Sequence, residues 1–359
     1  MNQPEVPPRP APSTVLALAA ALALAAPAAF AGTLVVANKA EATVSLIDLA
    51  SGEVVATLPT GAGPHEVAVS PDGRTALVAD YGGREPGSTL TVIDLSKREV
   101  VRTIDLGEHR RPHGVAFLPG GRRAAVTAEG SKALLVVDVE AGKVEQAIPT
   151  GAEVSHMVAL SPDGQRAYVA NIGSGSVTVI DLAEGKKVAD VATGAGAEGI
   201  AVTPDGKQVW VTNRDADTVT LIDPETLKVT ATVPSPGFPI RAEVTPDGRH
   251  LLVSNARAGT LTVIDTTEKR AVRTIAVNLA EIDPEGKLFG ERFGASSVPV
   301  GIEIAPDGKT AWVAHSNADA VQVIDLAGWK PAGALRAGKE PDGMAYSPLG
   351  SGSAPPPGR

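Results

Sequence analysis

Apolar and polar residues alternate with a period of two through most of the chain. Short runs such as 208–212, 217–222 and 228–233 are rich in β-branched residues and are separated by turn residues. A period of two places one face of each run in a core, which is typical of β-strands and not of helices. The pattern therefore predicts an all-β protein made of many short strands.

A turn unit and an apolar run that ends in Asp each recur seven times. The prolines of the turn unit are 48, 43, 42, 42, 60 and 42 residues apart. The turn units are Ser70–Gly73, Leu118–Gly121, Ser161–Gly164, Thr203–Gly206, Thr245–Gly248, Ala305–Gly308 and the degenerate Ser347–Gly350. The apolar runs end at Asp48, Asp94, Asp138, Asp181, Asp223, Asp265 and Asp325. This period, with several short strands in each unit, is typical of a β-propeller.

Each unit divides into four antiparallel strands, A to D, and the chain starts out of frame. Pro-Asp-Gly forms the turn between strands A and B, where Pro presets φ and Gly tolerates a positive φ. The first strand, 34–37, is a strand B, and the last, 344–347, is a strand A. We expect these two ends to share one composite blade, because closing the ring removes two exposed edges. The sequence thus predicts seven four-stranded blades around a channel.

Three of the B strands carry a motif that resembles a known family. The segments Tyr168-Val-Ala-Asn171, Trp210-Val-Thr-Asn213 and Leu252-Val-Ser-Asn255 look like the YVTN motif of bacterial seven-bladed propellers. The resemblance covers nearly all of residues 33–349, and at the Asn position the chain departs from it at Asp80, Ala128 and His315. It implies an exported scaffold or ligand binder, similar to the propellers of quinoprotein amine dehydrogenases, haem d1 reductases and lactonases. The resemblance implies no single function, because one fold hosts many.

The composition narrows the chemistry that the chain can perform. The net charge is −9 and no run of Lys or Arg is longer than two, so the chain lacks a basic footprint for a phosphate backbone. Cysteine is absent, which excludes disulfides, thiolate nucleophiles, Cys-ligated zinc and covalent haem attachment. We therefore expect no nucleic-acid partner, and chemistry has to come from His, carboxylates, hydroxyls or a bound cofactor.

Both ends of the chain differ from the repeats. Residues 1–31 combine a Pro-rich start, an apolar run from Val15 to Ala26 and the sequence Ala29-Phe30-Ala31. This pattern predicts a signal peptide cleaved after Ala31, with a retained anchor as the alternative. Residues 350–359 are typical of a disordered tail. We expect a propeller of residues 32–349 that is periplasmic or secreted, monomeric, and without a membrane span once the signal is removed.

Ligand-capable side chains recur where strand A begins, six residues before each turn proline. In a propeller the A strands line the central channel, so these positions become neighbours around one ring. In ring order they are Asp342, His65, His113, His156, Glu198, Ile240 and Val300. Three imidazoles and two carboxylates suit a first-row metal such as zinc, copper, iron or nickel. The sequence thus predicts a ligand site at one channel mouth, with a divalent transition metal left open; the candidate ligands are His65, His113, His156, Glu198 and Asp342.

Three further features lie on the same predicted face. Arg241 is a candidate for binding an anionic group, and His315, which ends a strand B, is a candidate for extending the cluster. An insertion of about 18 residues, 277–297, precedes the sixth turn and predicts either a lid or docking loop or a decoration. The plain alternative for the histidines is local repeat chemistry, in which each imidazole bonds a neighbouring carbonyl.

No catalytic residue can be assigned from a motif, because neither G-x-S-x-G nor H-E-x-x-H occurs. The leading interpretation is a non-enzymatic, exported propeller that binds a protein partner or a small molecule at the histidine-bearing face. The alternative is a metal-dependent hydrolase, lactonase or lyase that uses the same cluster. A redox role beside a quinoprotein or cytochrome ranks third, since the chain has no haem-binding motif of its own.

Overall fold

The computed structural model describes residues 31–350 except residues 281, 283, 284 and 288. In this part of the chain, twenty-eight strands form seven sheets of four antiparallel strands each. The strand A of every blade contacts the strand A of the next blade, and the last contacts the first, so the ring is closed. The predicted all-β, seven-bladed propeller is confirmed.

Blade 1 is composite. Its strands are β1 (Thr33–Asn38), β2 (Thr43–Asp48) and β3 (Glu53–Pro59) from the N-terminal part and β28 (Pro341–Ser347) from the C-terminal part. In the antiparallel register of β1 and β28, Thr33 pairs with Ser347. The predicted ring closure is therefore confirmed, although both strands extend beyond the predicted 34–37 and 344–347.

The other six blades each consist of four consecutive strands, A to D. Blade 2 contains β4 (Pro64–Val69), β5 (Thr75–Gly82), β6 (Pro86–Asp94) and β7 (Glu99–Asp105). Blade 3 contains β8 (Pro112–Phe117), β9 (Arg123–Ala128), β10 (Ala133–Asp138) and β11 (Lys143–Pro149). Blade 4 contains β12 (Ser155–Leu160), β13 (Arg166–Asn171), β14 (Ser176–Asp181) and β15 (Lys186–Ala192).

The remaining blades follow the same plan. Blade 5 contains β16 (Ala197–Val202), β17 (Val209–Asn213), β18 (Thr218–Asp223) and β19 (Lys228–Pro234). Blade 6 contains β20 (Pro239–Val244), β21 (His250–Asn255), β22 (Thr260–Asp265) and β23 (Arg270–Ala276). Blade 7 contains β24 (Pro299–Ile304), β25 (Thr310–His315), β26 (Ala320–Asp325) and β27 (Lys330–Arg336). The described helical segments are the short helix α1 (Gly290–Phe293) and the 3-10 turns Lys39–Glu41 and Glu129–Ser131.

The Pro-Asp-Gly turns join strands A and B at the end of the channel where strand A finishes. In the first of them, the Gly73 amide donates to the Ser70 carbonyl at 2.8 Å, and the Ser70 hydroxyl donates to Asp72 at 2.6 Å. Gly73 has a φ of 75°, which favours glycine over residues with a side chain. The Asp72 side chain thus accepts a hydrogen bond within its own turn, as the turn chemistry predicts.

The hydrophobic core lies between neighbouring blades. Leu77 of blade 2 packs with Val126 and Leu135 of blade 3, and Trp210 of blade 5 packs with Leu251 and Val253 of blade 6. All of these side chains are fully buried. Because each blade buries its two faces against its two neighbours, the stability of one blade depends on the closure of the whole ring.

A cavity of about 610 Å³ opens at the end of the channel that carries the Pro-Asp-Gly turns. Most of the residues that line it are apolar, but polar and apolar atoms share its surface about equally, and Glu243 of blade 6 and Glu303 of blade 7 are among its charged groups. The Tyr346 amide donates to Glu303 Oε1 at 3.0 Å. Burial raises the pKa of Glu243 to about 7, and burial together with the nearby charge of Glu243 raises the pKa of Glu303 further above its usual range.

Candidate functional site

The residues at which the seven A strands begin line a single cavity. It has a volume of about 600 Å³ and lies at the channel mouth opposite the Pro-Asp-Gly turns. These residues are His65, His113, His156, Glu198, Ile240, Val300 and Asp342. The structure thus brings together the positions that the turn prolines align in the sequence, and it does so because every strand A runs along the channel in the same direction.

Three imidazole rings lie side by side along one wall of the cavity. The ring centroids of His113 and His156 are 3.5 Å apart, and those of His65 and His113 are 5.0 Å apart. The ring of Tyr81 lies 4.3 Å from that of His65. His65 Nδ1 donates to the Gly63 carbonyl at 2.8 Å. The Gly63 carbonyl therefore accounts for one ring nitrogen of His65, as local repeat chemistry predicts.

His113 is buried and has an unsatisfied ring nitrogen. Its side chain is 1% exposed, and its Nδ1 has no hydrogen-bond partner. Burial, and then the positive charge of His156, lowers the pKa of His113 well below its usual range. Burial also lowers the pKa of His65 to about 4. Both rings are therefore neutral at pH 7, which is the form that coordinates a metal or accepts a hydrogen bond.

His156 lies between two carboxylates. Its Nδ1 donates to Glu129 Oε1 at 2.6 Å, and its Nε2 is 3.4 Å from Glu198 Oε1. Burial by itself disfavours the imidazolium, but the hydrogen bonds and charges of Glu129 and Glu198 outweigh it and raise the pKa of His156. In the described part of the chain, His113, Glu129 and His156 form the one group of metal-type ligands, with ligand atoms within 4.8 Å of one another.

Arg241 reaches across the channel at the floor of the cavity. It comes from blade 6, and its Nε and Nη2 donate to Glu66 Oε1 of blade 2 at 3.0 and 2.6 Å. Its Nη1 donates to Glu198 Oε1 at 3.1 Å. Arg241 borders both channel cavities. The anionic groups that it binds in this structure are thus carboxylates of the protein itself.

Glu198 and Asp342 are both paired with cations. Glu198 Oε2 accepts from Arg214 Nη1 at 2.7 Å, and Asp342 Oδ2 is 3.5 Å from Lys39 Nζ. Burial would raise the pKa of Glu198, but His156, Arg214 and Arg241 outweigh it and lower the pKa to about 2. A metal at either carboxylate would have to displace these cations, so the two carboxylates are poorer metal ligands than their position in the ring predicts.

His315 lies outside the cavity, which corrects its predicted place in the cluster. It is fully buried at the end of β25, where its Nδ1 is 2.8 Å from Ser297 Oγ. At the equivalent position of blade 5, Asn213 donates to Thr220 of the next strand at 2.8 Å. This position points into the blade, towards neighbouring strands and turns, and not into the channel.

Sequence reasoning missed several residues of the site. Most of them occupy the same position of the repeat, which the sequence could have revealed. The residue that follows the last residue of the YVTN-type motif is Lys39, Tyr81, Glu129 or Arg214 in the four blades concerned. The motif residue points into the blade, so the residue after it turns towards the channel mouth. Glu66 follows His65 in strand A and faces the floor of the cavity from the other side of the pore.

The insertion between β23 and β24 contributes to the cavity wall. Gly286 and Phe289 line the cavity, and the ring of Phe289 stacks on Phe293 of α1 with centroids 4.8 Å apart. Of the acidic residues in the insertion, Glu281 and Asp283 lie outside the described residues, as does the side chain of Glu291. The insertion therefore lies on the histidine-bearing face.

The closed ring and the polar pocket at one mouth define the class of this protein as a seven-bladed β-propeller with a ligand-sized cavity. A family model described as YNCE-like beta-propeller matches residues 9–123 and 122–288. The chain belongs to this family of propellers, in agreement with its YVTN-type repeats. A search of curated proteins found no match.

Solved structures with the same fold differ in function. The chain is similar to hydrazine synthase of Kuenenia stuttgartiensis, with 23% identity, a TM-score of 0.67 and coverage of 82% of this chain and 93% of that one. It is also similar to a functionally unknown protein of Desulfotomaculum acetoxidans, with 17% identity, a TM-score of 0.73 and coverage of 88% and 99%. A third is the dihydro-heme d1 dehydrogenase NirN in complex with DHE, with 16% identity, a TM-score of 0.62 and coverage of 88% and 75%. At these identities the similarity shows the fold alone.

No helix in the described part of the chain is long and apolar enough to cross a membrane. Residues 1–30 and 351–359, where the sequence predicts a signal peptide and a disordered tail, lie outside the described residues.

Proposed function

We propose that this chain is an exported binding protein that holds a small molecule in the cavity at the histidine-bearing mouth, through a divalent transition metal. The observation that carries the proposal is the group of His113, His156 and Glu129, whose ligand atoms lie within 4.8 Å of one another. The unsatisfied, buried Nδ1 of His113 supports it, because buried polar atoms in native proteins nearly always have a partner.

The surroundings of this group resemble those of known metal centres. Two imidazoles and one carboxylate leave at least one coordination position for a ligand in the cavity. Glu198 lies at the second ring nitrogen of His156, and the Tyr81 hydroxyl donates to Glu129 Oε2 at 2.8 Å. Such outer partners orient metal ligands and fix the imidazole tautomer.

The ligand set proposed here differs from the one that the ring positions predict. His113 and His156 are retained, and Glu129 takes the place of Glu198 and Asp342, which are paired with Arg214 and Lys39. His65 remains beside the centre as a wall of the pocket. A cavity of about 600 Å³ has the size of a typical small-molecule site.

Metal analysis tests this proposal. Protein purified without chelator and loaded with Zn²⁺ or Ni²⁺ should retain about one equivalent after gel filtration, and His113→Ala should retain less than about a tenth. The matched control is His109→Ala, because His109 is hydrogen-bonded to Ser131 and lies outside the cavity. Less than about a tenth of an equivalent in the loaded wild type, or equal retention by His113→Ala and the wild type, would reject the proposed centre.

A metal-dependent hydrolase, lactonase or lyase is the second candidate. The specific observation in its favour is that two histidines and a glutamate at a cavity match the ligand set of catalytic zinc sites, in which the open position holds a reactive water. The metal-loaded protein would then hydrolyse a lactone, and His113→Ala would abolish turnover. A binding protein without catalysis leaves the lactone intact.

Export is the remaining part of the proposal. It is supported by the signal-like pattern of residues 1–31. A periplasmic or secreted protein with an open cavity at one mouth can meet either a small molecule or a protein partner there, and the volume of about 600 Å³ favours the small molecule.

A further inference from the structure

The cavity has a polar side and an apolar side. Blades 1 to 5 contribute polar residues at the start of strand A, whereas blade 6 contributes Ile240 and blade 7 contributes Val300. In a ring of seven blades, the point opposite blade 3 lies between blades 6 and 7. Ile240 and Val300 therefore face His113 across the cavity.

The insertion extends this apolar side. Phe289 lines the cavity and packs against the core cluster that contains Phe238, Ile240 and Val300. Its ring meets that of Phe238 with centroids 6.0 Å apart, in an edge-on arrangement typical of aromatic pairs. The result is a continuous apolar wall of Phe289, Ile240 and Val300.

The wall is held in place by polar contacts on both sides of the insertion. Asn278 Oδ1 accepts from the backbone amide of Ser297 at 2.9 Å, which closes the base of the insertion. Lys287 Nζ donates to Asp319 Oδ1 of blade 7 at 2.7 Å. Phe289 is two residues from this ion pair and contacts the rings of Phe238 and Phe293.

We infer that the ligand is a small amphipathic molecule, with a metal-coordinating polar head directed at His113 and a ring-sized apolar body resting on Phe289, Ile240 and Val300. This inference rests on the proposed function, because it places the head at the proposed metal. Burying a ring against the apolar wall stabilises the complex by the hydrophobic effect, while the head satisfies the polar side of the cavity.

Two hydroxamates test this assignment, because they share one metal-binding head and differ only in the body. Acetohydroxamate carries a methyl group and benzohydroxamate a phenyl ring. Titration calorimetry on the Zn²⁺-loaded protein should show benzohydroxamate binding roughly 10- to 100-fold more tightly than acetohydroxamate. Phe289→Ala should reduce this ratio to below about threefold, mainly by weakening benzohydroxamate.

The control variant is Phe117→Ala, which removes the same side chain from a strand end outside the cavity and should keep the full ratio. Equal affinity of the two hydroxamates for the wild type, or an unchanged ratio in Phe289→Ala, would overturn the inference while leaving the metal site intact.

A metal-independent measurement separates failure of the inference from failure of the proposed function. Phenol has the same ring and a hydroxyl that can hydrogen-bond the unpartnered Nδ1 of His113. If the protein retains no metal, saturation-transfer NMR should still show phenol bound to the metal-free wild type and not to Phe289→Ala. Absence of transfer to the wild type, or equal transfer to both, would then reject the apolar wall as a binding surface.

Discussion

At the scale of single residues, Asp80 places a buried carboxyl group where most repeats carry an amide. It stands where blades 1, 4, 5 and 6 carry Asn, and it is 1% exposed. Its carboxylate accepts from Thr89 at 2.8 Å and from the Gly61 amide at 3.1 Å. Burial raises the pKa of Asp80 to about 6, because these hydrogen bonds compensate only in part for the lost hydration.

Asp80→Asn is therefore expected to stabilise the protein at neutral pH. A raised pKa in the folded state makes the stability of the wild type fall as pH rises from about 4 to 6, and the amide does not titrate. The gain in unfolding free energy should be about 1–3 kcal/mol at pH 7.5 and should vanish near pH 4, measured by urea unfolding. Asn213→Asp is the reverse change and should destabilise at pH 7.5. A gain that persists unchanged at pH 4 would contradict the explanation.

The residues that share the cavity could be predicted, but their partners could not. Each turn proline sets the register of its strand A, so the places of His65, His113 and His156 follow from the repeat alone. Glu129 lies one residue beyond the motif of its strand B, where the other blades carry residues as different as Lys39, Tyr81 and Arg214, so the repeat marks the position but not its chemistry. The pair of Arg241 and Glu66 joins blades that are not neighbours in the ring, and no local pattern in the chain records such a contact.

At the scale of secondary-structure elements, β28 completes blade 1 and connects it to both neighbouring blades. It is hydrogen-bonded to β1 and also contacts β24 and β4 of the two neighbouring blades. It contributes Met344 and Ala345 to two core clusters and Asp342 to the cavity. Without it, β1 would present an unpaired edge and two blades would lose a neighbour.

Deletion of residues 341–359 should abolish cooperative thermal unfolding and expose aggregation-prone surface, because the ring can no longer close. Circular dichroism during heating, combined with light scattering, measures both effects. Deletion of residues 351–359 alone is the control, and it should leave the melting temperature within about 2 °C of the wild type. A cooperative transition in the larger deletion would show that closure is dispensable.

The repeat also explains which elements were predictable. Period-two alternation and the Pro-Asp-Gly turns place the strands to within a few residues, since both reflect local chemistry. The helix α1 lies in the insertion, where no repeat sets the expectation and the aromatic contacts of Phe289 and Phe293 with Phe238 decide the conformation.

At the scale of the whole molecule, the ion pairs of Arg241 divide the channel into two chemically different cavities. The cavity at the histidine-bearing mouth is lined by charged groups of both signs, several of them in ion pairs, and by the apolar wall. The cavity at the opposite end is lined mostly by aliphatic residues of the A strands and contains the buried carboxyl groups of Glu243 and Glu303. Their raised pKa values make this second cavity a source of pH-dependent stability.

Glu243→Gln should stabilise the protein above pH 7. A carboxyl group whose folded-state pKa is raised to about 7 costs stability progressively as pH rises from about 4.5 to 7, since the unfolded chain ionises first. Guanidinium unfolding should show a gain of about 1–3 kcal/mol at pH 8 and none near pH 4.5. Glu85→Gln, at an exposed position, is the control and should show neither effect. An equal gain at both pH values would point to packing and not to charge.

The composite blade also places both ends of the propeller chain at the same end of the ring. Thr33 and Ser347 are paired at the end of the ring that carries the Pro-Asp-Gly turns. A linker joined at either of these residues therefore leaves from the side facing away from the imidazoles. A protein immobilised on a sensor chip through either tether would keep the histidine-bearing mouth open to the solution, and both orientations would expose the same face to an analyte.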